Sequence, residues 1–170
     1  MRLLSIKSSS LFTKRGIARN LGVSPTAIAK ALPLLEKEKL IVTEKDKTMN
    51  FSSTRLNRDN QKTFDFKKIE NLKLIYESNL IQYLEETFPG TTIILFGSYA
   101  RGEDVEKSDI DIAIIGSKEK EFKDYKVLEN FLERNLSLNF YPLINKIDKE
   151  LKNNILNGIV LVGGITLWGH

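Results

Sequence analysis

The chain has 170 residues, 41% of them hydrophobic, and a net charge of +4 at neutral pH. This length allows one medium domain or two small ones. No apolar run is long enough to cross a membrane, so we expect no membrane partner, and no signal sequence is recognisable. The chain contains no cysteine, which excludes disulfides and thiolate metal sites and favours a cytoplasmic location.

The charge is distributed unevenly along the chain. Residues 1–60 contain twelve Lys and Arg against five Asp and Glu, whereas residues 61–170 contain fourteen against seventeen. This asymmetry indicates two modules, of which the basic one would suit a polyanionic partner. A solvated lysine-rich surface would produce the same pattern.

The basic part of the chain has the pattern of two short helices followed by two strands. Helical spacing of apolar residues stops at Gly22, and Ser24 and Pro25 supply an N-cap and a first residue for the next helix. The predicted buried stripe of that helix consists of Ile28, Ala31, Leu32 and Leu35. Residues 40–43 and 48–54 then favour strands joined by a polar turn.

This order resembles the winged helix-turn-helix family of DNA-binding domains over about residues 1–56. The resemblance implies that the second helix enters the major groove and that the hairpin contacts the DNA backbone or minor groove. Carried over by position, the DNA contacts would be Lys14, Arg15, Ser24, Thr26, Lys30, Lys45 and Lys47. Pro33 is expected to kink the second helix. A winged helix used for dimerisation or protein contact is the alternative interpretation.

Residues 57–90 are predicted to form a helical linker. Apolar residues recur there at spacings of three and four, which predicts helices at about 63–73 and 74–87. Pro89 and Gly90 would end the second helix. The predicted domain organisation is therefore 1–56, 57–90 and 91–170.

The stretch FGSYARGEDVEKSDIDIAII occupies residues 96–115, between one predicted strand that ends at Phe96 and another at 110–115. Because side chains alternate along a strand, Asp109 and Asp111 share one face while the isoleucines face the core. Two carboxylates this close repel each other unless a cation lies between them, and oxygen ligands suit Mg²⁺, or Mn²⁺ in its place.

Gly97 and Ser98, which follow the first of these strands, suit phosphate. The glycine lets backbone approach a ligand closely, and the serine offers a hydroxyl and an N–H to phosphate oxygens. A metal site beside a phosphate cradle indicates phosphoryl or nucleotidyl transfer.

The Gly-Ser pair, Gly102 and the Asp-x-Asp motif together resemble the signature of the DNA-polymerase-β-like nucleotidyltransferase superfamily in its minimal form. The resemblance implies a small mixed sheet with helices over residues 91–170. It implies that Asp109 and Asp111 bind Mg²⁺ and serve catalysis. It also implies nucleotide binding by Gly97, Ser98 and Arg101, with a nucleoside triphosphate, ATP first, as substrate. A winged helix, a helical linker and this domain in tandem resemble two-domain proteins common in archaea.

Active members of that superfamily commonly add a third carboxylate on a later strand. The corresponding strand here is residues 136–141, where the aligned residue is Asn139 and neither Asp nor Glu occurs between Arg134 and Ile147. An asparagine can ligate a metal but cannot act as a base. Beyond this strand, a helix is predicted over residues 144–156, followed by a buried or dimer-forming segment at 158–167.

The sequence thus predicts an α/β (α+β) protein and leaves two functions open. One is a Mg²⁺-dependent nucleotidyltransferase that moves a nucleoside monophosphate to a protein, a nucleic acid or a small molecule. The other is a DNA-binding transcriptional regulator whose nucleotidyltransferase-like domain binds nucleotide or dimerises without turnover. Family resemblance favours a homodimer in either case.

Overall fold

The computed structural model describes residues 1–45, 51–118 and 125–165. The chain divides into two units, Met1–Glu70 and Asn71–His170, and the division lies within the region predicted as a linker. Each unit combines helices with a small sheet, so the α+β class is confirmed. Within the described ranges, no helix has the length and apolar character needed to cross a membrane.

The first unit starts with a short helix and ends its sheet with a hairpin. Its elements are α1 (Arg2–Ile6), β1 (Phe12–Thr13), α2 (Lys14–Leu21), α3 (Pro25–Lys37), β2 (Ile41–Lys45) and β3 (Ser52–Leu56). The three strands are antiparallel in the order β1–β3–β2. Gly22 ends α2 with a φ of +65°. Ser24 caps α3, accepting a hydrogen bond from the Ala27 N–H at 3.1 Å. Both predicted helix boundaries are therefore confirmed.

One apolar core lies between these helices and the sheet. Its buried members are Leu4, Ile17, Ala18, Ile28, Leu32, Ile41 and Leu56. The placement of Ala31 in the buried stripe was wrong, because the core contacts the face that carries Ile28, Leu32 and the half-buried Leu35, and Ala31 is exposed. Helix α3 continues through Pro33 to Lys37.

The second unit is built around a four-stranded mixed sheet. Helix α4 (Gln61–Glu77) spans the division between the units. The elements that follow it are α5 (Leu80–Thr87), β4 (Thr92–Phe96), α6 (Gly97–Arg101), β5 (Ile110–Ile115), α7 (Lys126–Leu132), β6 (Leu136–Tyr141), a 3₁₀ turn (Ile144–Lys146), α8 (Lys149–Leu156) and β7 (Ile159–Val162). The strand order is β6–β5–β4–β7. Strands β5 and β6 are parallel, and the other two pairs are antiparallel.

Helices α4 and α5 meet later than the sequence pattern predicted. The predicted break after residue 73 was wrong, since α4 runs on to Glu77. The chain breaks instead at Ser78 and Asn79. The Ser78 hydroxyl donates to the Ile75 carbonyl at 2.8 Å and accepts from the Leu80 N–H at 3.2 Å. Asn79 has a φ of +60°, a conformation that asparagine tolerates better than most residues.

The single helix predicted over residues 144–156 was also wrong. A 3₁₀ turn ends at Lys146, and α8 begins only after Asp148. The Asp148 carboxylate accepts hydrogen bonds from the N–H groups of Glu150 and Leu151, both at 3.1 Å. An N-cap of this kind starts a new helix, because it satisfies donors that a continuous helix would bond internally.

The two faces of the sheet are covered differently. Ile110, Ile112 and Ile114 point to one face and are fully buried. On the other face, Ile94, Phe96 and Ala113 pack against residues of the 3₁₀ turn and α8, namely Ile144, Ile147 and Ile155. Since Asp111 pairs with Phe96 across the strands, this second face also carries Asp111.

Candidate active site

The antiparallel pairing of β4 and β5 brings the Gly-Ser turn to the Asp-x-Asp motif. Asp111 is the second residue of β5 and lies opposite Phe96, the last residue of β4. Gly97 and Ser98 follow Phe96 directly in α6. Asp109 immediately precedes β5 and is exposed, whereas Asp111 is half-buried. The structure therefore brings Asp111 to the Gly-Ser turn, with Asp109 two residues earlier in the chain.

Gly97 is in direct contact with the Asp111 carboxylate. Its φ is +75°, in the left-handed region that favours glycine. A Cβ at this position would overlap Asp111 Oδ2 and lie 3.3 Å from Cγ. Only a glycine therefore allows the turn and the carboxylate to sit this close together.

The environment of Asp111 disfavours the negative charge of its carboxylate. Burial raises the pKa of its carboxyl group above the ordinary value, and the negative charge of Asp109 raises it further. A hydrogen bond from Ser137 and the charge of Arg101 act in the opposite direction. The exposed Arg101 guanidinium itself bonds Glu103 at 2.7 Å and the Asn154 carboxamide at 3.0 Å.

This arrangement fits a divalent cation that brings further ligands with it. Among residues 1–45, 51–118 and 125–165, nowhere do three or more His, Cys, Asp or Glu side chains come together as a metal site would need. Asp109 and Asp111 therefore supply two carboxylates, which is the protein share that Mg²⁺ typically takes when phosphates complete its coordination.

The sequence analysis matched Asn139 with the third-carboxylate position, but the structure places Ser137 opposite Asp111. Strands β5 and β6 pair Asp111 with Ser137, and Ala113 with Asn139. Neither β6 residue is acidic, so this strand offers no carboxylate to the site. The alternation of polar and apolar residues over 135–140 was the available signal for Ser137.

A buried polar cluster that the sequence analysis missed supports the loop between α6 and β5. The Asp104 carboxylate accepts hydrogen bonds from Asn71 at 2.7 Å and from Arg134 at 3.4 Å. Asn71 also donates to the Tyr99 carbonyl of α6 at 2.9 Å. The cluster thus ties α6, the loop that leads to Asp109 and the start of β6 together. Its members are far apart in sequence, so no local pattern identifies it.

The residues predicted to contact DNA lie in the first unit. Lys14, Arg15, Ser24, Thr26, Lys30 and Lys45 are all exposed, and Lys47 lies outside the described residues. One shallow groove is lined by Lys14, Arg15 and Phe51. An adjoining groove is lined by Lys45 and the same Phe51. The start of α2 and the hairpin therefore line adjoining grooves that carry three cations, Lys14, Arg15 and Lys45, and one carboxylate, Glu44, whereas neither groove includes Lys30.

Comparison with known proteins gives matches for the second unit. The family model described as "Nucleotidyltransferase domain" matches residues 77–162. Three relatives from Methanocaldococcus jannaschii carry the name "Putative protein adenylyltransferase". The first, MJ1215, is 38% identical over 42% of this chain and 76% of its own length. The second, MJ1379, is 38% identical over 45% of this chain and 72% of its own length. The third, MJ0128, is 35% identical over 44% of this chain and 68% of its own length. No solved structure matches the chain at a significant level.

Proposed function

The chain belongs to the nucleotidyltransferase domain family. We propose that it transfers a nucleoside monophosphate from a nucleoside triphosphate to a hydroxyl group of a protein, with AMP from ATP as the first candidate. The observation that carries this proposal is the contact between Gly97 and the Asp111 carboxylate. The names of the archaeal relatives, putative protein adenylyltransferases, support ATP as donor and a protein as acceptor.

Asp109 and Asp111 would hold Mg²⁺, which neutralises charge on the triphosphate when it is bound. The close backbone at Gly97 and the half-exposed Ser98 receive phosphate oxygens. Arg101, fixed by Glu103 and Asn154, adds positive charge at the same edge.

In the reaction, the acceptor hydroxyl oxygen forms a bond to the α-phosphorus of the nucleotide. The bond between that phosphorus and the departing pyrophosphate oxygen breaks, and pyrophosphate leaves with the electron pair. Strand β6 carries Ser137 and Asn139 rather than a carboxylate, so the hydroxyl proton passes to water. A positioned base contributes about 10²–10⁴-fold to such reactions, and turnover is correspondingly slow.

The first experiment uses ATP, GTP, CTP and UTP labelled at the α-phosphorus. The full-length protein is incubated with Mg²⁺ and an extract of its host, and the products are separated by size. We expect label from ATP on a protein band. Label at the γ-phosphorus should not be transferred, which distinguishes nucleotidyl from phosphoryl transfer.

Two variants control this experiment. Asp109→Ala removes one carboxylate of the site, and Glu85→Ala removes an equally exposed carboxylate on α5. Label transferred by Glu85→Ala and wild type, but not by Asp109→Ala, supports the proposal. Equal transfer by Asp109→Ala, or none by the wild type in an extract that supports a known transferase, refutes it.

A second function, DNA binding, is supported by the basic surface of the first unit. Lys14, Arg15 and Lys45 line adjoining grooves around Phe51, and Lys30 is exposed on α3. In this proposal the first unit is a winged helix that recruits the transferase to DNA. If the second unit has no catalytic turnover, the chain is a DNA-binding regulator whose second unit binds nucleotide or dimerises. Light scattering would detect the expected homodimer.

Salt dependence tests the DNA proposal. Each phosphate contact adds about one unit to the slope of log affinity against log salt concentration. We expect Lys14→Ala with Arg15→Ala to weaken binding of duplex DNA and reduce that slope by about two. Unchanged anisotropy titrations of labelled duplex would exclude these residues as contacts. Lys37→Ala, at the end of α3 and outside both grooves, serves as a single-charge control that should change the slope by less than one unit.

A further inference from the structure

Strand β6 and the residue before it place three neutral polar side chains beside the carboxylates. Asn135 donates to Asp109 Oδ1 at 3.2 Å. Ser137 lies opposite Asp111 across the parallel strands, on the same face of the sheet. Asn139 follows two residues later on the same face. We call Asn135, Ser137 and Asn139 the donor row.

The direction of the Ser137 hydroxyl follows from its neighbour. The Asn139 carboxamide donates to Ser137 Oγ at 3.3 Å and to the Ser137 carbonyl at 3.1 Å. A hydroxyl group has a single hydrogen to donate. Since its oxygen accepts from Asn139, that hydrogen is directed away from Asn139 and is available to the Asp111 carboxylate opposite.

We propose that the donor row positions the two carboxylates for the cation of an incoming metal–nucleotide complex, with Asn139 acting on Asp111 through Ser137. These are positioning residues, because they act on the ligating carboxylates rather than on the substrate. The inference rests on the proposed function, since it assumes that Asp109 and Asp111 receive the cation.

Neutral donors suit this task better than charged ones. A lysine or arginine on β6 would form an ion pair with Asp111 and compete with the cation. An amide or hydroxyl group orients the carboxylate oxygens and leaves their negative charge available. Side chains that bond metal ligands in this way typically contribute 10–100-fold to metal affinity or activity.

The test measures binding of Mg²⁺ and a non-hydrolysable ATP analogue to the full-length protein by titration calorimetry. Ser137→Ala should weaken binding about tenfold, and Ser137→Thr, which keeps the hydroxyl, should restore it. Asn139→Ala should also weaken binding. Because Asn139 acts through Ser137, the double variant of both should bind no more weakly than Ser137→Ala alone.

A second pair of variants, Asn135→Ala and Ser137→Ala, should behave differently from the first pair. It acts on Asp109, so Asn135→Ala and Ser137→Ala should weaken binding independently and their losses should add. Ser117→Ala is the matched control, since the Ser117 hydroxyl bonds the Lys118 carbonyl outside the site, and it should bind as the wild type does. Circular dichroism verifies that each variant is folded.

Three results would overturn the inference. Wild-type affinity in Ser137→Ala would show that its hydroxyl does not position Asp111. Additive losses for Ser137→Ala and Asn139→Ala would show that Asn139 acts independently. A wild-type protein that fails to bind the complex would refute the proposed function and this inference together. In the first two cases wild-type binding persists, so the two failures are distinguishable.

Discussion

Gly97→Ala is the substitution that tests the site most directly. The residue has a φ of +75°, where a side chain costs about 1–2 kcal/mol. Its new Cβ would also overlap Asp111 Oδ2. Because the overlapping atom is the end of a side chain, Asp111 can rotate away. We therefore expect the free energy of unfolding to fall by little more than the backbone term.

Gly90→Ala isolates that backbone term. Gly90 has a φ of +76°, and a Cβ there would meet no atom within 4 Å. For a unit of this size, a loss of 1 kcal/mol lowers the melting temperature by about 4–8 °C. Gly97→Ala and Gly90→Ala should therefore be destabilised to a similar extent.

Binding should separate the two variants. Displacement of Asp111 removes one of two carboxylates from the cation site, so Gly97→Ala should bind Mg²⁺ and the ATP analogue at least tenfold more weakly. Gly90→Ala should bind normally. Calorimetric titration beside thermal melts measures both quantities. Normal binding by Gly97→Ala, or an equal loss in Gly90→Ala, would refute the reasoning.

Three further predictions concern stability. In metal-free protein with chelator, the raised pKa of Asp111 means that the folded state binds the proton more tightly than the unfolded state, so stability falls as pH rises through that range. Asp111→Asn should therefore melt at a higher temperature than wild type at neutral pH, with the difference vanishing in acid; an unchanged melt at neutral pH would contradict this. Asp104→Ala should cost about 3–5 kcal/mol in urea unfolding, because it removes a buried carboxylate that pairs with Arg134 and accepts a hydrogen bond from Asn71. Asp104→Asn should cost less, since its carboxamide oxygen still accepts a hydrogen bond; equal costs for the two variants would show that the charge of Asp104 does not contribute. Ser24→Ala should destabilise the first unit by about 1 kcal/mol through loss of the α3 cap, whereas Ser24→Asp should preserve its melting temperature.

The sequence by itself determined the features that depend on neighbouring residues. The strand at 110–115, with its isoleucines buried, followed from alternation, and the start of α3 followed from Ser24 and Pro25. The Gly-Ser turn and the Asp-x-Asp motif could also be identified from the sequence, because each is only a few residues long. In these segments the spacing of side chains and the chemistry of the caps decide the local structure.

The local sequence pattern did not predict the break before α8 or the short helix α1. Residues 144–156 carry helical spacing throughout, but the Asp148 cap starts a new helix at residue 149. Helix α1 has only five residues, too few to show a period, and it forms because Leu4 enters the core. The Asp148 cap thus decided the first of these boundaries, and packing of Leu4 in the core decided the second.

Only the tertiary structure decided how the site is assembled. The register of β4 and β5 sets Gly97 against Asp111. The parallel register of β5 and β6 brings Ser137, rather than Asn139, to the same carboxylate. A shift of one residue along a strand turns a side chain to the opposite face, and that register is set by the buried faces of the whole sheet. The sequence therefore identified the chemical groups of the site, whereas only the tertiary structure determined which of these groups are in contact.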